Sequence, residues 1–210
     1  MGCDIHMYLE QERTINNEKK WVSMDYYKKN PYYDKNDEEE SWEGEYEVVE
    51  IYDGRNYSLF SILAGVRNYG ENSPIVEPRG IPSDCCNEIR ELYEKWDSDG
   101  HTHTYLTYGE LKEYSNNKQM VKYSGMISKE QSDNLDKGIL PTEWCQWTNI
   151  DGYIHREWEM EESLLDPIIE AIEKRICDEC WIYSRSKEEK EDKLKEYYDK
   201  VRTVFWSDNE

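Results

Sequence analysis

The sequence predicts an α+β fold, a central mixed or antiparallel sheet with covering helices, and three observations lead there. Apolar and polar residues alternate cleanly over 3–10, and 153–160 alternates again, with Ile154, Arg156, Trp158 and Met160 opposite Tyr153, His155, Glu157 and Glu159. Between and after them run apolar stripes at helical spacing, opened by capping residues. No internal repeat is present, so the helices and strands form one mixed architecture rather than an array. A chain of 210 residues is read as a single domain spanning 1–210, with an acidic loop near 34–50 and a charged helix near 187–199.

The first strand puts Cys3, Ile5, Met7 and Leu9 on one face and Asp4, His6, Tyr8 and Glu10 on the other. A turn at Asn16-Asn17 leads to a second strand from Trp21 to Tyr27. Eight acidic residues between Asp37 and Glu50 mark a solvated loop. Asn56 caps a helix from Tyr57 to Asn68, with Leu59, Ile62, Leu63 and Val66 as its buried stripe and Gly70 as its stop. An irregular loop with prolines at 74, 78 and 82 precedes a helix capped by Ser83, whose stripe is Ile89, Leu92, Tyr93 and Trp96.

A turn at Asp97-Ser-Asp-Gly100 and a short strand to Leu106 follow, then a capping box, Thr107 to Glu110, that opens another helix. Ser128 to Gln131 is a second capping box, for a short helix ending near Gly138. Tyr153 to Met160 is a strand, Ser163 to Cys177 and Lys187 to Tyr198 are helices, and Val201 to Trp206 closes the chain as a strand. The Lys187 helix is laced with opposite charges three and four residues apart and is expected to be exposed.

With 47 acidic against 26 basic side chains, the net charge of −21 repels a polyanionic backbone, which excludes bulk nucleic-acid binding. No stretch approaches the roughly 18 apolar residues that a membrane span needs. The opening Met-Gly-Cys-Asp-Ile-His places His6 where an acylation signal wants Ser or Thr, and Asp4 and His6 spoil a secretory signal. A cytoplasmic protein is expected. The six cysteines share no repeated spacing, and Cys177-x-x-Cys180 stands alone inside a helical pattern, so reduced, buried thiols are expected rather than structural zinc.

Against that acidic background the distribution of arginine stands out. From Asn36 to Glu94 there is no lysine, and every cation is an arginine: Arg55, Arg67, Arg79 and Arg90. A guanidinium grips phosphate or carboxylate with two parallel bonds where lysine supplies a mobile point charge. Arg55-Asn56 and Arg67-Asn68 repeat one dipeptide, and Arg79 sits between Pro78 and Pro82. Two readings stay open: a pocket for a small anionic ligand, or arginines that pair with the acidic excess around them.

Asp99-Gly-His101-Thr-His103 has the spacing of a metal-binding strand, where residues two apart share a face, and Asp99, His101 and His103 are the ligands such an ion would take. Without a metal, His6, His101 and His103 could bind or protonate phosphate oxygens beside the arginines, and they would be the catalytic set of an enzyme. The structural alternative has them holding a turn and bonding across the sheet. His6 and His155 are the histidines left as further ligands of such an ion, but His155, in an alternating strand among charges, is read as structural. Tyr57, Tyr69, Trp96 and Tyr105 lie beside the basic motifs, where a base could stack. No phosphate-binding glycine loop, dinucleotide fingerprint, kinase signature or Ser-His-Asp pattern is present, and no cofactor is expected.

The segments Cys3-Asp-Ile-His-Met-Tyr-Leu-Glu10, Arg55-Asn-Tyr-Ser-Leu-Phe-Ser-Ile-Leu-Ala-Gly-Val-Arg-Asn68, Pro78-Arg-Gly-Ile-Pro-Ser-Asp84 and Asp99-Gly-His-Thr-His-Thr-Tyr-Leu-Thr107, with the ending Val204-Phe-Trp-Ser-Asp-Asn209, resemble a family of largely uncharacterised proteins of tailed phages and prophages. The likeness implies a phage context and, with it, the host cytoplasm. Joined to the arginine window, it leads to the expectation of an anti-defence protein that sequesters a host nucleotide messenger, a cyclic dinucleotide or an ADP-ribose derivative. Arg55, Arg67 and Arg79 would hold phosphates, and Asn56, Tyr57, Asn68, His6, His101, His103 and Trp96 would complete the site. A homo-oligomer is expected of such a trap. An enzyme cleaving the same ligand, and an acidic decoy for a host protein, are the alternatives.

Overall fold

Both ends of the chain meet in one sheet. The computed structural model describes residues 2–33, 44–96, 99–146, 151–161 and 163–208. Strands β1 (Ile5–Ile15) and β2 (Glu18–Ser23) form a hairpin through Asn16 and Asn17, both in the left-handed region. Asparagine tolerates that conformation better than most side chains, so the turn is encoded locally. Strand β3 (Tyr26–Lys29) pairs with β4 (Tyr46–Val49) in a separate two-stranded sheet. The last strand, β8 (Val201–Asp208), lies between β1 and β5 (Gly100–Thr107), giving an antiparallel order β2-β1-β8-β5. Helix α1 (Tyr57–Ala64), α2 (Asn87–Trp96), α3 (Tyr108–Asn116), α4 (Lys129–Leu135), α5 (Asp166–Cys180) and α6 (Lys187–Leu194) surround the sheets. A third sheet is the hairpin of β6 (Met120–Ser128) and β7 (Tyr153–Glu161). The fold is α+β, as the alternating and helical patterns predict.

The register Met7↔Phe205 and Leu9↔Thr203 sets Ile5, Met7, Leu9, Val201 and Phe205 on one face, in a core shared with α1, α3, α5 and the β6–β7 hairpin. Every residue of β8 is buried, and α1 is buried from Ser58 to Ala64. Each aliphatic or aromatic side chain so enclosed contributes about 1.5–3 kcal/mol. The opposite face carries Tyr8, Val204 and Trp206 under Ile89, Leu92, Tyr93 and Trp96 of α2, as the stripe of that helix requires. The alternation of β1 is therefore apolar against polar, yet both of its faces are covered.

Several boundaries differ from the sequence expectation, each for a local reason. Asn56 does cap α1, accepting from the Leu59 N–H at 3.1 Å, which is worth about 1 kcal/mol. The helix stops at Gly65 (φ 73°) rather than near Gly70, because Gly65 N–H closes back onto Phe60 and Ser61 carbonyls. Arg67 consequently lies in a left-handed turn (φ 52°) and not in a helix end. Helix α2 starts at Asn87, four residues after the expected Ser83 cap, because Asp84 and Cys86 are drawn to the sheet. The expected strand from Trp21 to Tyr27 is broken at Asp25, whose carboxylate accepts from Leu9 N–H at 3.0 Å. Tyr46–Val49, expected within the acidic loop, is a strand. Residues 34–43 of that loop and residues 97 and 98 of the expected turn lie outside the described residues. Among the described residues, no helix is long and apolar enough to cross a membrane, and the six cysteines are free thiols.

Candidate ligand-binding cleft

The polar face of β1 reads in sequence like a site, and the structure uses it to join elements. Glu10, fully buried, accepts from Arg202 Nε at 2.6 Å and from the Cys86 N–H at 2.8 Å. Arg202 Nη2 reaches Asp84 at 2.8 Å, Trp21 Nε1 donates to the other oxygen of Asp84 at 3.0 Å, and the guanidinium lies 3.6 Å from the Trp21 ring centroid. His6 is gripped from both ring nitrogens, 3.4 Å from Glu50 and 3.1 Å from Asp208, and its ring stacks on Trp96 with centroids 4.0 Å apart. Burial disfavours its charged form, but the two carboxylates outweigh that and raise its pKa. His6 and Trp96 thus occupy one another.

His101 and His103 do not share a strand face. Thr102 is left-handed (φ 57°) and the register of β5 on β8 shifts between His101 and Thr104. This bulge turns His103 onto α2, edge-on to Tyr93 with centroids 4.8 Å apart, where burial and then the charge of His101 lower its pKa. His101 instead lines a shallow cleft with Arg67, Asn68 and Pro78, its Nδ1 2.8 Å from Thr102 Oγ1. The premise of a common face for the Asp99, His101, His103 set is thereby overturned. Among the described residues, no group of three or more His, Cys, Asp or Glu side chains is placed to hold a metal ion.

The four arginines have different fates. Arg55 grips Asp4 through two bonds, at 2.6 and 2.5 Å, and that ion pair holds the Asp4 carboxyl below the usual range. Arg79 donates to Glu110 at 2.6 Å while that same glutamate closes the capping box of α3, and Arg79 also lies over Tyr105, 4.6 Å from its centroid. Arg90 caps the Ser83 carbonyl. Arg67 donates to the Gly2 carbonyl at 3.0 Å, and its guanidinium lies 5.9 Å from the Tyr57 centroid. Gly2 also abuts Arg55, where a Cβ would come within 2.7 Å of the guanidinium. The amino-terminal segment therefore brings Arg55 and Arg67 side by side.

Around these two arginines the surface opens. A cleft of about 360 Å³ lies between α1 and the β6–β7 hairpin, with Tyr57, Arg67 and Tyr69 on one wall and Lys122, Ser124 and His155 on the other. It adjoins a second cleft of about 450 Å³ through Tyr57 and Gln146, which includes Arg55 and Asn56. Arg67 also borders the third cleft, the one that holds His101. Volumes of this size suit a small ligand. Among the described residues, Glu157 is the one carboxylate lining the Arg67 cleft, set against Arg67 and Lys122, so the balance of those residues is reversed from that of the whole chain.

The Arg67 turn is fastened by a relay of two asparagines. Asn68 accepts from Asn72 N–H at 2.8 Å and donates to Asn72 O at 2.7 Å. Asn72 in turn accepts from Lys122 N–H at 2.8 Å and donates to Lys122 O at 3.0 Å and to Ser61 Oγ at 3.1 Å. An amide side chain thus supplies both bonds that a neighbouring strand would give β6. Gly70 permits this approach, because a Cβ there would come within 2.8 Å of Lys122 O. Asn56 and Asn68, expected to touch a ligand, are engaged as a helix cap and as a clamp for the arginine before or beside them.

Of the expected site residues, the clefts gather Arg55, Asn56, Tyr57, Arg67, Asn68 and His101, while His6 and His103 lie under α2, against its residues Trp96 and Tyr93, and Arg79 is bound to α3. Lys122, Ser124, Gln146 and His155 were not singled out as ligand residues. The signal for the first two was present as the alternation Val121, Lys122, Tyr123, Ser124, with Val121 and Tyr123 buried. Comparison of the chain with protein-family models, with curated proteins and with solved structures gives no match.

Proposed function

We propose that the protein binds a small phosphate-bearing ligand of nucleotide type in the clefts around Arg67 and withdraws it from solution. In a phage context the ligand would be a host immune messenger, a cyclic dinucleotide or an ADP-ribose derivative. The observation that carries this reading is the pairing of Arg67 with Lys122 across one cleft, between the rings of Tyr57 and Tyr69, in a chain of net charge −21. Local cations in an otherwise acidic protein select a small anion while the surrounding field excludes a polymer. Tyr69 is 68% exposed and offers a face on which a base can stack. The asparagine relay presets the arginine, so little ordering is required on binding.

The test is to incubate the protein with a panel of cyclic dinucleotides and ADP-ribose derivatives, denature it by heat, and analyse what is released. A fitting ligand is depleted from solution and recovered on denaturation. Arg67→Ala and Arg67→Lys should each weaken binding about tenfold or more, because the planar fork is lost in both. A lysine variant as tight as wild type, or a panel left undepleted, would sink the reading.

A further inference from the structure

The Arg67 cleft also holds a hydroxyl–imidazole pair that the binding reading leaves unused. Ser124 Oγ and His155 Nε2 are 2.9 Å apart. They come from neighbouring strands: Ser124 faces Glu157 and Met126 faces His155 in the register of β6 on β7, so the two side chains are diagonal neighbours on one face. The frame around them is fixed. Asn72 clamps the Lys122 backbone on one side of Ser124, and on the other Met126 exchanges both main-chain bonds with Cys145, at 2.7 and 3.0 Å. A reacting pair placed on a braced strand keeps its geometry better than one on a loop.

We propose that Ser124 is a nucleophile, with His155 its general base, toward a phosphodiester held in the cleft by Arg67 and Lys122; this rests on the reading of the cleft as a phosphate site. His155 takes the Ser124 proton at Nε2 as the Oγ–P bond forms. The P–O bond to the leaving oxygen, in line with and opposite Oγ, breaks; that oxygen takes a proton from solvent and His155 passes its proton to solvent. Water then attacks the Ser124-linked phosphodiester from the side the alcohol has left and gives a proton to solvent, as His155, reprotonated from solvent, returns one to Oγ. The P–Oγ bond breaks, Ser124 is reprotonated, and the net change is phosphodiester plus water to phosphomonoester plus alcohol. Arg67 and Lys122 offset the charge that builds on the non-bridging oxygens. Binding is then the first half of a slow turnover.

The experiment follows release of p-nitrophenol from bis(p-nitrophenyl) phosphate by the full chain, its Ser124→Ala and His155→Gln variants, and Arg67→Ala, beside recovery of bound cyclic dinucleotide. Wild type should release the phenol, and Ser124→Ala and His155→Gln should each lose at least about 100-fold, the low end of what a positioned base supplies. Equal rates in wild type and Ser124→Ala, or an intact ligand recovered from wild type after long incubation, would overturn the catalytic proposal and leave the binding reading standing. A protein that neither cleaves the ester nor retains any dinucleotide overturns both.

Discussion

The sheet face beneath α2 and the cleft beside α1 both set a guanidinium against aromatic rings, yet the two arginines serve different ends. Arg202 meets two carboxylates and is 7% exposed, with the Trp21 ring at 3.6 Å. Arg67 donates to a main-chain carbonyl, lies near the Tyr57 ring and lines a cleft together with Lys122. The first charge is committed to architecture, because a buried carboxylate such as Glu10 is tolerated only when its partner is present. The second lines an open cleft, where we place the proposed ligand. Residue type alone does not separate them; what separates them is whether the fold buries the guanidinium in the sheet or leaves it lining a cleft.

Removing the committed charge gives the largest expected effect. Arg202→Ala leaves Glu10 buried and uncompensated, and should cost about 3–5 kcal/mol. For a domain of this size, thermal unfolding should then fall by roughly 6–20 °C. Ligand affinity of the folded fraction should not change. The pair Glu10→Gln with Arg202→Met should recover much of the lost stability, since the desolvated charges leave together. A fall in affinity in the double variant would show that the two regions are coupled and would break the comparison.

Asn72→Ala probes the point where the regions should differ most. It removes the bonds to Lys122 and Ser61, about 1–2 kcal/mol of stability, and also frees the turn that carries Arg67. Affinity for the ligand should therefore fall alongside stability, unlike in Arg202→Ala. Calorimetric binding beside thermal unfolding reads both. A variant destabilised as expected but with unchanged affinity would mean that the relay braces β6 without positioning Arg67.

The contrast also explains how much was legible beforehand. The alternation of β1, the helical stripe of α2, the Asn56 cap and the capping box at Thr107 are local signals, and each produced its element. The polar face of β1 read as chemistry because nothing local says that α2 will cover it, or that Asp208 will arrive beside His6 from the far end of the chain. The bulge that separates His101 from His103 depends on pairing with β8, again a long-range event. The cleft was half legible: the arginine window marked Arg55 and Arg67, but Lys122, Ser124 and His155 join them only through the β6–β7 hairpin, and β6 was not read as a strand. Asn68 looked like a ligand contact because its true partner, the backbone of Asn72, is a matter of loop geometry.

A further expected effect is a pH dependence of stability, carried mainly by groups on and around β1. His6 has its pKa raised above 6.5 by Glu50 and Asp208 against the opposing effect of burial, so the stability it contributes is full below 6.5 and is lost as pH rises through the elevated value. Asp25 is pushed up to about 7 by burial, although Leu9 N–H bonds its charged form. Between its ordinary 3.8 and about 7 the folded chain holds a proton that the unfolded chain has released, and stability again falls as pH rises. Asp4 is lowered by its bonds to Arg55, and Asp84 is lowered by Arg202 despite burial. Their contributions are present above 3.8 and fade as pH falls through the lowered values, placing the acid limb below the window of Asp25. Stability should thus peak in mild acid, and Asp25→Asn, which keeps an acceptor for Leu9 N–H, should flatten the limb between about 4 and 7. His6→Gln should remove the limb above it. Denaturant unfolding across pH measures both, and because these groups lie outside the Arg67 cleft, ligand affinity in Asp25→Asn should track wild type at every pH; a divergence would tie the β1 face to the site and remove the distinction between the two regions.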